Sequence, residues 1–203
     1  MMCRFQARLP AYAFVVFSLL MGSTSAHAHL NATGMGPIYD GLMHFLISPE
    51  DLIPVLGLAL LAGLRGPEFG RRTMFVVPGA WLIGGLSGTF SVTRVPNPFV
   101  AASWFLLLGA LLAADAKLSL RTMTALAVLL GLYHGYLNGT GMGVSVASSA
   151  LLGLVFGVFV LVTLAAAFVV RLKRNWTRIA VRVGGSWIAA SGLLMLGWAV
   201  RTR

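Results

Sequence analysis

Apolar residues run along this chain in long blocks, and polar residues gather in short intervals between them. Six blocks follow one another: 37–64, 73–90, 98–114, 122–138, 144–170 and 179–200. They are rich in Leu, Val, Ala and Gly and show no two-residue alternation, which predicts helices buried on all sides or facing lipid. A β-barrel would need segments of about ten residues alternating in polarity, and none is present. The first block is interrupted at Ser48-Pro49. The expectation is an all-α, polytopic membrane helix bundle of about six transmembrane helices.

A shorter apolar stretch, Ala11 to Met21, precedes the blocks. Arg4 and Arg8 lie before it, and small residues ending in Ala26-His27-Ala28 follow. Eleven apolar residues are too few to cross about 30 Å of hydrocarbon, so residues 1–28 read as a cleavable signal peptide rather than an uncleaved anchor. Residues 29–203 then form a single transmembrane domain. The lone cysteine, Cys3, leaves with the signal peptide, so neither an internal disulfide nor a zinc–thiolate site is expected.

Composition agrees with a membrane protein. The chain is 58% hydrophobic and 10% charged, against about 25% charged in a soluble domain, and its mean hydropathy is +0.89. A net charge of +10 could indicate nucleic acid, but the cations sit in short connections without a basic face or interleaved aromatics. They read as topology determinants. Ten (Arg65, Arg71, Arg72, Lys117, Arg121, Arg171, Lys173, Arg174, Arg178 and Arg182) occupy the first, third and fifth connections. Arg94, Arg201 and Arg203 lie on the other side. The positive-inside rule places the ten in the cytoplasm and both mature termini in the periplasm of an inner-membrane protein.

Small residues recur at small-xxx-small spacing, as in Gly84/Gly88 and Gly153/Gly157. Packing between helices of one chain is favoured over dimerisation, though a homo-oligomer or a membrane partner stays open.

With five acidic residues and four histidines in all, placement is informative. Asp40, His44, Glu50 and Asp51 cluster around the interrupted first block, and His134 is followed by Asn138 in the fourth. Ser48-Pro49-Glu50-Asp51 also reads as a helix start, with Ser48 as N-cap, Pro49 at N1 and Asp51 at N3 of a capping-box-like arrangement. Weighing against mere capping, the fourteen residues from Asp51 to Leu64 span about 21 Å, too little to cross alone. The break therefore falls within the membrane, at a depth similar to His134. Asp40 and His44, four apart, share a helix face.

Oxygen and imidazole donors suit a borderline divalent ion such as nickel, cobalt or zinc, so His44, Glu50, His134, Asp51, Asp40 and Asn138 are the candidate ligands. His29, the first residue after cleavage, adds an amine and an imidazole. Met35, Met43 and Met142 read as packing rather than a copper site. No GxxxxGK[ST], HExxH or GxSxG motif occurs, and Ser145, Ser148 and Ser149 read as packing residues. No enzyme and no catalytic residue are expected.

At these residues the chain resembles the HupE/UreJ family of membrane proteins. That family carries an early HPxxGxDH motif and a later FHGxAHG-type motif. Their counterparts here run from His44 through Ser48-Pro49 to Glu50-Asp51, and from Tyr133-His134-Gly135 to Asn138-Gly139; the run from His29 through Gly34 and Gly36 to Asp40-Gly41 is also similar. Glu50 stands at the family's aspartate, Asp51 at its following histidine, and Asn138 at the second histidine of the later motif. The resemblance implies a nickel or cobalt permease linked to hydrogenase or urease systems, with His44, Glu50 and His134 as ligands. A non-transporting accessory or assembly subunit, with a structural or metal-sensing cluster, is the alternative.

Overall fold

The computed structural model describes residues 33–91, 97–140 and 144–202; the proposed signal peptide, His29 and Met142 lie outside them. The described residues form seven α-helices and no strand: α1 Pro37–Ile47, α2 Pro49–Arg65, α3 Pro67–Gly88, α4 Pro98–Ala113, α5 Leu120–Thr140, α6 Val144–Val170 and α7 Asn175–Arg201. With α1 and α2 taken together, they coincide with the six apolar blocks.

By length and apolarity, two helices suffice to cross a membrane: α6, over Ser148–Val170, and α7. The α1–α2 pair would be a third if its two halves form one broken span, and α4 is apolar but shorter. The expected six crossings are thus matched as helices, whereas two, or up to three, meet the requirements of a span.

The break has a local cause. Pro49 disfavours the helical region for the residue before it, and Ser48 adopts an extended backbone (φ −93°, ψ 96°). The helix axis bends by 73° there. Pro49 starts α2 as expected, but the Ser48 side chain makes no capping hydrogen bond. Its carbonyl accepts from the backbone N–H groups of Asp51 and Leu52 instead. The capping-box expectation is corrected on that point: Asp51 directs its carboxylate elsewhere.

α2 lies at the centre and touches every other described helix. Val55, Leu58, Ala59, Leu61 and Ala62 are fully buried on it, the all-round apolarity expected of an interior helix. Its neighbours pair through small residues. Gly84 and Gly88 of α3 face the backbone of α5, whose Gly135 and Gly139 face Trp81 and Gly85 in return. A Cβ at Gly135 would collide with the Trp81 carbonyl oxygen, so glycine sets the approach of the two helices. Gly153 and Gly157 pack on α1, against Ile38 and against Leu42 and Phe45. Both small-xxx-small pairs are therefore used within the chain.

The three basic connections converge on one end of the bundle. Arg65, closing α2, pairs with Asp115 between α4 and α5. Arg178 of α7 donates to the Leu64 carbonyl (3.1 Å) and stands 4.0 Å from Asp115, and Arg182 donates to the Ala113 carbonyl (2.9 Å). Asp115 takes a left-handed backbone conformation (φ 50°), which turns α4 toward α5. The α1–α2 break lies toward the opposite end.

Candidate metal centre

Four of the candidate residues form one buried, hydrogen-bonded chain. His134 lies on α5 four residues before Asn138, so both present the same helix face, while the glycines at 131, 135 and 139 present the adjoining face to α3. The His134 Nδ1 is 2.8 Å from Asp51 Oδ1, and the Asn138 amide nitrogen donates to Asp51 Oδ2 at 2.9 Å. That same nitrogen donates to the His134 carbonyl at 2.9 Å, and the Asn138 amide oxygen is 2.8 Å from His44 Nε2. His44, Asp51, His134 and Asn138 are 8%, 4%, 3% and 4% exposed. The chain thus ties α1, α2 and α5 together beside the Ser48–Pro49 break.

The partners fix the orientation of the Asn138 amide and the donor on His44. The Asn138 nitrogen faces a carboxylate oxygen and a carbonyl, both acceptors, so turning the amide over would set oxygen against oxygen twice. With Asn138 so oriented, its oxygen accepts and His44 must donate from Nε2. An ionised Asp51 accepts from Asn138 on one oxygen and from His134 Nδ1–H on the other. A neutral His134 then carries its lone pair on Nε2. That nitrogen is buried and has no hydrogen-bond partner among the described residues. A carboxylate holding one imidazole nitrogen while the other is left to bind a metal is a recurrent support for histidine ligands.

Aromatic rings hold the imidazole from several sides. Trp81 stacks on it, with centroids 5.5 Å apart and planes at 28°, Tyr133 meets it edge-on at 5.2 Å, and Trp104 is tilted at 6.2 Å. A cavity of about 220 Å³ opens beside the chain, lined by Glu50, Asp51, Tyr133, His134, Asn138 and Asn97 together with apolar residues that include Met195. Glu50 is exposed and makes no hydrogen bond to the four buried residues, but it brings a carboxylate to the cavity wall.

Other candidates are placed apart. Asp40 accepts at one carboxylate oxygen, Oδ1, from the Thr33 backbone N–H (2.6 Å) and hydroxyl (2.7 Å), seven residues earlier, and makes no hydrogen bond to His44 despite the shared face. Among the described residues, no three His, Cys, Asp or Glu side chains are disposed as a group that could hold a metal ion. His44, Glu50 and His134 therefore do not form a ready three-ligand site. His44 Nε2 is taken up by Asn138, both Asp51 oxygens are engaged, and Glu50 stands outside the chain. Trp81, Trp104 and Met195 escaped the sequence reading because they look like any other apolar residue of a membrane helix. Tyr133, next to His134, was visible only as part of a motif.

The family model described as HupE / UreJ protein matches residues 16–195, which contain the whole buried chain and the cavity. No curated protein and no solved structure gives a significant match. The match extends over most of the sequence, and the chain belongs to the HupE/UreJ family.

Proposed function

We propose that this chain is a divalent transition-metal permease of the nickel or cobalt type, set in the inner membrane with its cavity opening to the periplasm. One observation carries the reading: His134 Nε2 is buried without a partner, on a ring whose other nitrogen is held by Asp51 and whose side chain lines the cavity. A lone imidazole lone pair with a carboxylate nearby suits a borderline divalent ion better than copper(I) or a hard oxygen-seeking ion. In this reading Glu50 attracts the ion at the cavity wall and His134 binds it, while Asp51 and Asn138 hold the histidine in place. Few protein ligands leave the ion partly hydrated, which favours passage over retention. Membership of a family linked to nickel or cobalt transport and to urease or hydrogenase maturation agrees with this substrate class. The convergence of the basic connections at the opposite end supports a cytoplasmic location for that end.

A second reading has its own support. The four buried polar residues largely satisfy one another, and no three-ligand group is present among the described residues, as in an accessory or assembly subunit whose polar chain locks the helices. Cellular metal content separates the two. Expression of the protein alone, in cells lacking hydrogenase and urease, should raise cell-associated nickel or cobalt for a permease. An accessory subunit would leave it unchanged.

A further inference from the structure

At the basic end a second cavity, also of about 220 Å³, lies between α3 and α6. Pro67, Gly70, Arg71 and Met74 recur at helical spacing on α3, and Thr163, Ala166, Ala167 and Val170 do so on α6, with Arg171 just past its last residue, so one face of each helix forms a wall. Gly70 leaves the wall shallow, since a Cβ there would stand 3.3 Å from that of Ala166. The Thr163 hydroxyl already donates to the Phe159 carbonyl at 2.7 Å. The lining is therefore apolar except at Arg71 and Arg171, which mark one end. Neither guanidinium has an ion pair or side-chain hydrogen bond among the described residues. Phe75, Leu164 and Phe168, on the same two helices, are 64%, 65% and 61% exposed, so the surface around the groove suits hydrocarbon.

An occupant must match both parts: a long apolar portion for the groove and an anionic head for two exposed cations. Free phosphate would leave the apolar wall unmatched, and a zwitterionic lipid would bring a cation to the arginines. We propose that the α3–α6 groove binds an anionic phospholipid, its phosphate between Arg71 and Arg171 and an acyl chain along Gly70, Met74, Thr163 and Ala167. Arginine pairs recognise phosphate oxygens well, and basic pockets between membrane helices are suited to anionic head groups. The proposal uses none of the residues of the metal reading and stands apart from it.

Native mass spectrometry of the purified full chain, with equal amounts of phosphatidylglycerol and phosphatidylcholine, tests the assignment. Wild type should retain phosphatidylglycerol in preference, and Arg71→Gln/Arg171→Gln should reduce that preference by roughly 30-fold, two arginines' worth of surface attraction. Arg72→Gln/Arg174→Gln removes two exposed cations outside the groove and should leave the preference intact. Ala167→Trp fills the groove while keeping both arginines, and should lose bound lipid. The proposal is overturned if the groove variant keeps its preference, or if the control pair loses as much. It is also overturned if Ala167→Trp converts a lipid-free dimer to a monomer, which would make the groove a contact between copies. Should the double variant fail to fold, Arg171→Gln alone must still lower the preference.

Discussion

The imidazole of His134 and the carboxylate of Asp51, 83 positions apart in sequence, meet at 2.8 Å inside the helix bundle. The contact joins α5 to the first turn of α2, just after the proline that breaks the first apolar block. It supplies an anionic acceptor for one histidine nitrogen and leaves the other without a partner.

Asp51→Asn keeps the shape of this contact and removes its charge. The expected outcome is a 10- to 100-fold loss of nickel or cobalt affinity, the range seen when a histidine ligand loses its supporting carboxylate. Equilibrium binding to the purified protein measures it. Unchanged affinity would show that Asp51 does not support a ligand.

Asn138→Leu should act mainly on stability. It removes the acceptor of His44 Nε2–H and one donor to Asp51, leaving buried groups unsatisfied at about 1–3 kcal/mol each. Thermal unfolding in detergent should show a lowered midpoint. Asn138→His, which restores the residue of the family motif, should fall between wild type and Asn138→Leu because an imidazole can satisfy some but not all of these partners.

How much of this was legible beforehand depends on the residue. The apolar blocks located the helices to within about two residues except at the starts of α3 and α7, which reach back into the basic connections, and Ser48-Pro49 marked the break because proline lacks an N–H and restricts its neighbour. His134 and Asn138 stood out as polar residues within an apolar block, at the depth of the break. The division of labour between Glu50 and Asp51 was not legible. Adjacent residues on a helix point about 100° apart, and only the packing of α2 against α5 decides which faces inward. Asp40 shares a face with His44, yet the turn at Thr33 captures its carboxylate. Asp115, the single acid in the connection that also holds Lys117, offered a signal that local charge counting treats as incidental.

Asp115 anchors the basic end, and its charge and backbone can be separated. Asparagine tolerates a left-handed backbone, so Asp115→Asn removes mainly the partner of Arg65 and Arg178 and should destabilise by about 1–3 kcal/mol. Asp115→Ala adds backbone strain at φ 50° and should be less stable still. Equal unfolding midpoints for the two variants would remove backbone strain from the account.

Gly135→Ala tests the close approach of α3 and α5. A Cβ there meets the Trp81 backbone, so the helices must separate, costing about 1–3 kcal/mol and loosening the stack of Trp81 on His134. A lowered unfolding midpoint should accompany weaker metal binding. Wild-type values of both would mean that the contact is not constrained as described.

The most direct test of the central claim is radiolabelled nickel and cobalt flux into sealed vesicles containing only the purified protein, comparing wild type with His134→Gln. The account predicts flux above that of empty vesicles for wild type and its loss in the variant, with both inserted to the same extent. Equal flux in wild type and variant, or no flux above empty vesicles from the wild type, would contradict it.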